Sequence, residues 1–245
     1  MENQAELAKL FFELASDSRL SILKELSNEE LKMQEVARRL DVTATEALRQ
    51  LERLGASSLV QRLPEGTYAI TPYAKLVMHL SSSLSFLLKY KEYFLTHDIS
   101  PLPYQFINRI GELSKATFIG DTVESLNRAQ RMFIETKEFG WGLAEGVVPE
   151  LMGPIMADHL QRGIKFKFII PQDKLPLPSA GLPGMEIRGI SEVPAVVAIT
   201  EKEAAFCLRT FDGKMDYSAF YGCDPTFHGW AKDLFSYFWE KGKRI

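Results

Sequence analysis

LKMQEVARRLDVTATEALRQLERLGASSLVQRLPEGTYAIT, residues 31 to 71, holds two short amphipathic patterns divided by a polar turn, then two β-type runs around a glycine. Val36, Ala37 and Leu40 recur at helical spacing and give the first pattern an apolar face. Asp41-Val42-Thr43 interrupts it, and Thr43 is placed as an N-cap with Glu46 three residues on to complete a capping box. Ala47, Leu51 and Leu54 share one face of the second helix, so the spacing puts Thr45, Glu46, Arg49, Gln50 and Arg53 on or near the other. Gly55 marks the region where that helix is expected to end. Residues 59–63 and 67–71 are β-type runs separated by Pro64-Glu65-Gly66, the composition of a hairpin turn.

Helix, turn, helix and hairpin in that order predict a winged helix-turn-helix. Its expected partner is double-stranded DNA: an arginine can bond guanine bidentately, a glutamine can bond adenine, and a threonine reaches either base or phosphate. The groove contacts expected are Thr43, Thr45, Glu46, Arg49, Gln50 and Arg53, with Arg62 and Thr67 flanking the wing tip. Residues 1–75 carry ten Lys/Arg against twelve Asp/Glu, so the region is not basic as a whole. Between Lys32 and Arg62, however, six bases face four acids, which concentrates positive charge on the groove-facing elements and implies modest non-specific affinity. The alternative is a winged helix that serves protein contacts alone.

Upstream, Leu14-Ala15-Ser16-Asp17-Ser18-Arg19-Leu20-Ser21-Ile22-Leu23 resembles the helix that precedes the turn in ArsR-type winged-helix repressors, and LRQLERLGASSLV resembles their recognition helix and its exit. The resemblance covers about the first eighty residues. Leu48 stands where those proteins often carry a groove-facing serine, and the cysteine and histidine clusters of their metal-sensing members are missing.

The whole chain of 245 residues, 46% hydrophobic and 25% charged with a formal charge of −3, is long enough for two cores. Two cysteines, Cys207 and Cys223, form no disulfide framework, so a cytoplasmic setting is expected. The acidic, amphipathic start MENQAELAKLFFELA lacks the pattern of a signal peptide, and the uncharged run between Lys75 and Lys89 is too short and too rich in serine to span a membrane.

That run belongs to a helix expected from about Pro72 to His97. Val77, Leu80, Leu84, Leu87, Lys91 and Phe94 form one seam along it, and Tyr73, Leu76, Leu80, Ser83, Leu87, Tyr90 and Phe94 an overlapping one. Two seams imply two neighbours, so Leu76, Val77, Leu80, Leu84, Leu87 and Phe94 are expected to serve a homodimer, which would let two winged helices read two half-sites. Prolines at 101 and 103 close the helix. The division expected is 1–75 for the winged helix, 76–98 for a linker and dimerisation helix, and 99–245 for an effector domain.

Beyond the prolines the patterns predict helices at 104–113, 122–136, 149–162 and 225–240. Strands are expected at 116–120, 138–144, 165–170, 185–190, 195–200, 204–209 and 218–221. Strands alternating with helices, then a meander, predict a mixed α/β sheet covered by helices, so the chain combines an α+β winged helix with an α/β domain. Phe118-Ile119-Gly120-Asp121, QRGIKFKFIIP at 161–171 and the closing FYGCDPTFHGWAKDLFSYFWEKGK resemble the effector domain of archaeal methanogenesis-regulator-like proteins. More distantly they resemble the sugar-sensing domain of TrmB-type regulators. Those domains are related in fold to phospholipase D-like proteins, whose His-x-Lys-x-x-x-x-Asp motif is absent: none of His79, His97, His159 and His228 is followed two residues on by lysine.

No nucleophile elbow, zinc spacing or phosphate-binding loop is present, so neither an enzyme, a metal nor a cofactor is expected, and the glycines of GWGLAEG at 140–146 read as packing positions. A hydrolase with a regulatory winged helix is the remaining alternative. Cys207 and Cys223 read as small buried hydrophobes, and His159 as structural. Trp141, Glu145, Arg188, Arg209, Tyr217 and Tyr221, near strand ends, are the residues expected to line an effector pocket in which an arginine pairs with an anionic small molecule.

Overall fold

The computed structural model describes residues 2–146, 156–175 and 182–244, and the chain divides into two compact units, Met1–Ser82 and Ser83–Ile245. In the first, α1 (Glu2–Leu14) precedes α2 (Asp17–Asn28), which buries Ile22, Leu23 and Leu26. A short strand β1 (Leu31–Lys32) leads into α3 (Met33–Leu40), whose first turn is capped by the Glu35 carboxylate accepting from the Lys32 amide at 3.0 Å. Asp41 adopts a left-handed conformation, φ 53°, and reverses the chain into α4 (Ala44–Ala56). The wing is β2 (Val60–Arg62) and β3 (Thr67–Ile70), and β1 joins them in an antiparallel sheet of order β1-β3-β2. At the wing tip Gly66 has φ +84° and donates to the Leu63 carbonyl, a backbone setting that favours glycine.

One apolar core of Ile22, Leu23, Val36, Ala47, Leu51, Leu54, Leu59 and Ile70 holds the unit together. α4 ends at Ala56, in the region of Gly55 where its end is expected, with Ser57 as its C-cap and left-handed Ser58, φ 58°, following.

The helix expected over 72–97 is broken. α5 runs Pro72–Lys89, Tyr90 departs from helical geometry, and a single turn, α6 (Lys91–Phe94), precedes β4 (His97–Asp98). The break accompanies burial of Phe86, Tyr90, Tyr93 and Phe94 around Phe220 in the second core. The stretch expected as a separate linker, 76–98, therefore gives its C-terminal half to the second unit's core.

Among the described residues the second unit forms a nine-stranded mixed sheet with helices on its faces. After α7 (Tyr104–Ile107) and a 3-10 turn (Ile110–Leu113) come β5 (Thr117–Ile119), α8 (Thr122–Glu135) and β6 (Phe139–Leu143). A helical stretch, α9, is described over 156–161; the earlier part of the helix expected at 149–162 lies outside the described residues. Then follow β7 (Lys165–Pro171), β8 (Met185–Ile190), β9 (Ala195–Thr200), β10 (Ala204–Thr210), β11 (Ala219–Gly222), α10 (Pro225–Lys241) and β12 (Lys243–Arg244). Strand order is β12-β8-β7-β6-β9-β10-β11-β5, with β4 on β10; β6, β7 and β8 are parallel and the rest antiparallel. The expected meander of four strands is thus only β9-β10-β11, because β8 pairs with β7 on the far side of β6.

Both faces of the sheet are buried. Leu143, Ile169, Val197, Ile199 and Phe206 pack with Trp230, Leu234 and Phe235 of α10. Phe166, Phe168, Ile170, Ala198 and Ala205 pack with Met132 and Phe133 of α8 on the other side. Strict alternation along β7 and β9 supplies both cores, as expected of a sheet covered by helices on two faces. Among the described residues no helix is long and apolar enough to cross a membrane.

The glycines of β6 are packing positions. Gly140 stands in register with Phe166 and Gly142 with Phe168, and a Cβ on Gly140 would lie 2.5 Å from the Phe166 ring and 2.9 Å from the Phe133 ring. Gly140→Ala is expected to lower the stability of the second unit by about 1–3 kcal/mol through this overpacking. All three tryptophans lie in that unit, so a fall in the urea midpoint of their fluorescence, with unchanged slope, checks it.

Candidate nucleic-acid interface

Thr43 caps α4 by accepting from the Glu46 amide at 3.2 Å. The reciprocal half of the expected capping box does not form, because the Glu46 carboxylate accepts from the Arg49 guanidinium at 3.0 Å and from the Gln50 amide group. Those two bonds, Gln50 first and Arg49 second, hold the Glu46 carboxyl below its ordinary range. The outward face of α4 then consists of Thr45, Leu48, Arg49 and Glu52, all exposed, beside exposed Thr43. Arg49 is its most available cation, with 72% of its side chain exposed. An exposed i,i+3 pair such as Arg49–Glu46 is screened by water and leaves the guanidinium open to other partners. At the wing Arg62 is exposed, and Thr67 is half-buried with its hydroxyl 3.5 Å from Glu30.

Gln50 does not face outward. Residues 47, 50, 51 and 54 form the inward i, i+3, i+4, i+7 face, and Gln50 is 8% exposed. Its carbonyl accepts from Arg19 at 3.2 Å, so it is committed to the interior and is corrected from a groove contact to a structural one. Arg53 is 43% exposed and bound to Glu13 through Nε at 2.8 Å and Nη2 at 3.1 Å, with its guanidinium carbon 4.9 Å above the Phe12 ring. Sequence reading found neither Glu13 nor Arg19 as part of this arrangement. Their signal was the isolated charge each places beside apolar residues, Glu13 next to Leu14 and Arg19 ahead of Leu20 and Ile22.

Along α5 the residues expected at a dimer contact separate. Leu76, Leu80 and Leu84 are 65%, 69% and 51% exposed, and Leu88, one step further, is 74% exposed. Val77 is half-buried, while Leu87 and Phe94 pack against the second unit's own core and are corrected from dimer to intramolecular contacts.

The six residues expected to share an effector pocket do not converge. Glu145 and Arg209 form an ion pair beside an open cleft of about 530 Å³ at the C-terminal ends of β7 and β8, where Lys174, Asp173 and Glu192 also line the wall. The other Arg209 nitrogens donate to the Val193 carbonyl at 3.1 Å and the Gly213 carbonyl at 3.0 Å, which makes this arginine a strap as well as a lining residue. Tyr217 and Tyr221 border a separate small cavity of about 40 Å³ under α8, room for little more than a water. Burial pushes the Tyr221 hydroxyl up to about 12, and it donates to the Ser125 carbonyl at 2.7 Å. Trp141 and Arg188 pack towards α10, Trp141 stacked on Phe235 at 5.2 Å and Arg188 over Trp239 at 4.3 Å. Alternation along β6 explains the split, since Trp141 points to the face that α10 covers.

Burial pushes the Cys207 thiol up, as for a small core residue, whereas Cys223 is exposed and not the buried hydrophobe expected. Among the described residues no group of three His, Cys, Asp or Glu side chains comes together to hold a metal ion. His97, Asp216 and Ser218 do meet: Nε2 of buried His97 lies 3.2 Å from Asp216 and 3.3 Å from Ser218. The order is not that of a nucleophilic triad, because Ser218 donates to Asp216 at 2.8 Å and both partners share one ring nitrogen.

No protein-family model matches the chain, and no curated protein sequence does. Among solved structures it is similar to the archaeal chromatin protein TrmBL2, described as showing a novel mode of DNA binding, at 15% identity over 94% of each chain with a TM-score of 0.46. NucT from Helicobacter pylori matches 54% of this chain and 99% of its own at 13% identity and TM-score 0.43. Nuc from Salmonella typhimurium, a phospholipase D family member, does so at 14% identity and TM-score 0.41 with the same coverage. Likenesses of this degree carry no activity over.

Thr43→Ala is expected to cost about 1 kcal/mol by leaving the first turn of α4 uncapped. Faster hydrogen exchange at the Glu46 amide, with the core of α2 unchanged, is the corresponding observation. The Glu46 interactions stabilise the fold above the carboxyl's unfolded pKa and are lost as pH falls through its lowered folded value. Gln50→Leu should therefore raise the Glu46 titration point seen by NMR; an unchanged point would remove Gln50 as its main cause.

Proposed function

We propose that the protein is a homodimeric, sequence-specific DNA-binding regulator of transcription that works in the cytoplasm, and that its second unit binds a small-molecule effector. The observation that carries this reading is the outward face of α4. Thr45 and an exposed Arg49, paired only with Glu46 at the surface, project from a helix seated across the turn at Asp41, Thr43 caps it, and the exposed Arg62 stands on the wing. Exposed Leu76, Leu80, Leu84 and Leu88 at four-residue steps on α5 support pairing with a second copy, since such a stripe is unusual on a monomer's surface. The cleft beside Glu145 supports the effector role. In this reading the second unit performs no catalysis: its ligand acts by preferring one setting of the paired winged helices over another.

Arg49→Ala is expected to weaken binding to a selected site at least tenfold, while binding to unrelated duplex changes far less, because a base contact is lost. Fluorescence anisotropy on both duplexes checks it; equal losses on the two would remove Arg49 from base reading. Leu80→Glu should shift the protein from dimer to monomer in sedimentation velocity, and an unchanged dimer would place the interface elsewhere.

A further inference from the structure

Glu13 is 8% exposed, yet it is a carboxylate held by two guanidinium groups. Arg53 approaches through Nε at 2.8 Å and Arg19 through Nε at 3.1 Å. Arg19 is itself buried and also donates to the Glu13 carbonyl at 2.7 Å, to the Phe12 carbonyl at 2.8 Å and to Gln50 at 3.2 Å. One negative and two positive charges leave the cluster with a surplus of one positive charge. Its members differ in access: the side chains of Glu13 and Arg19 are 11% and 8% exposed, that of Arg53 43%. The surplus charge therefore reaches water only at Arg53. Nε and Nη2 of that residue are turned to Glu13 and its face to Phe12, and its remaining nitrogen, Nη1, is the edge left over.

Resting on the DNA-binding reading above, we infer that Arg53 is a phosphate-positioning residue rather than a base reader, and that Glu13 and Phe12 of α1 are the buttress that aims it. A carboxylate already balanced by Arg19 has no need to release Arg53 when DNA arrives. A phosphate takes the outer edge of the guanidinium while Glu13 keeps the inner one. Bidentate fixing of the inner edge removes the freedom a lone surface arginine would lose on binding, the usual gain from preorganisation. α1 thereby belongs to the DNA-reading apparatus although it stands apart from the helix-turn-helix in sequence, and Gln50 serves it from within by holding Arg19.

The test is a double-mutant cycle of Arg53→Lys and Glu13→Gln, read as affinity for a selected duplex and for an unrelated one across a salt series. Arg53→Lys keeps the charge and leaves Glu13 paired with Arg19, so the fold is retained. The expected result is a loss of several-fold on both duplexes alike, no change in base preference, and no further loss when Arg53→Lys is added to Glu13→Gln. Arg53→Gln should in addition make the salt slope shallower by about one per protomer. Tighter binding by Glu13→Gln would show that the carboxylate competes with phosphate, and a changed base preference in Arg53→Lys would make Arg53 a base reader; either overturns the inference. If Glu13→Gln does not fold, the two Arg53 variants decide alone, and unchanged affinity in both counts against it. Failure of the wild-type protein to bind any duplex would instead remove the DNA-binding reading and this inference with it.

Discussion

A buried carboxylate needs a partner, and Glu13 has two. The burial of an unpaired carboxylate would cost several kcal/mol, so Glu13 fixes where Arg19 and Arg53 must lie, and through them where α1, α2 and α4 meet. The apolar face of Ala47, Leu51 and Leu54 is fully buried in the unit's core and fixes which side of α4 turns inward. Directional bonds to Gln50 and Arg53 add to that packing in setting the rotation of α4. The outward presentation of Thr45, Leu48 and Arg49 follows from that seat. Removal of Glu13 leaves two guanidinium groups without their shared carboxylate, whereas the exposed Arg49–Glu46 pair can open at little cost.

The second unit is built on a different constraint. Its sheet is buried on both faces, and each strand must satisfy two cores at once, α10 with the 86–113 segment on one side and α8 on the other. Gly140 and Gly142 meet this by vacating the space that the Phe166 and Phe168 rings fill. The parallel strands β6, β7 and β8 open towards the cleft at Glu145 and Arg209, the end of such a sheet at which ligand sites are commonly built.

The winged helix was legible because its signals are local. Thr43 as a cap, the turn at Asp41 and the glycine at 66 each act within a few residues. Gln50 was misplaced although the information was present: one residue before Leu51, it falls between Ala47 and Leu54 on the inward face, and its polarity concealed that position. The roles of Glu13 and Arg53 could not be read, because they depend on two helices brought together from forty residues apart. The same holds for Leu87 and Phe94, whose periodicity fits a dimer seam until the break at Tyr90 turns them into the second core. Strands were found but not their order, since nothing in the composition of β8 tells whether it pairs with β7 or β9. The effector residues were chosen by type near strand ends, and alternation sent Trp141 and Arg188 to one face and left Glu145 and Arg209 at the cleft.

Selection of bound sequences from a random duplex pool, with the winner's affinity followed from about 50 to about 200 mM salt, tests the central claim most directly. The account predicts an enriched inverted repeat whose half-sites lie one helical turn apart, bound by a dimer with a steep salt dependence. No enrichment by a folded dimer, either alone or with cell extract supplying small molecules, would contradict it.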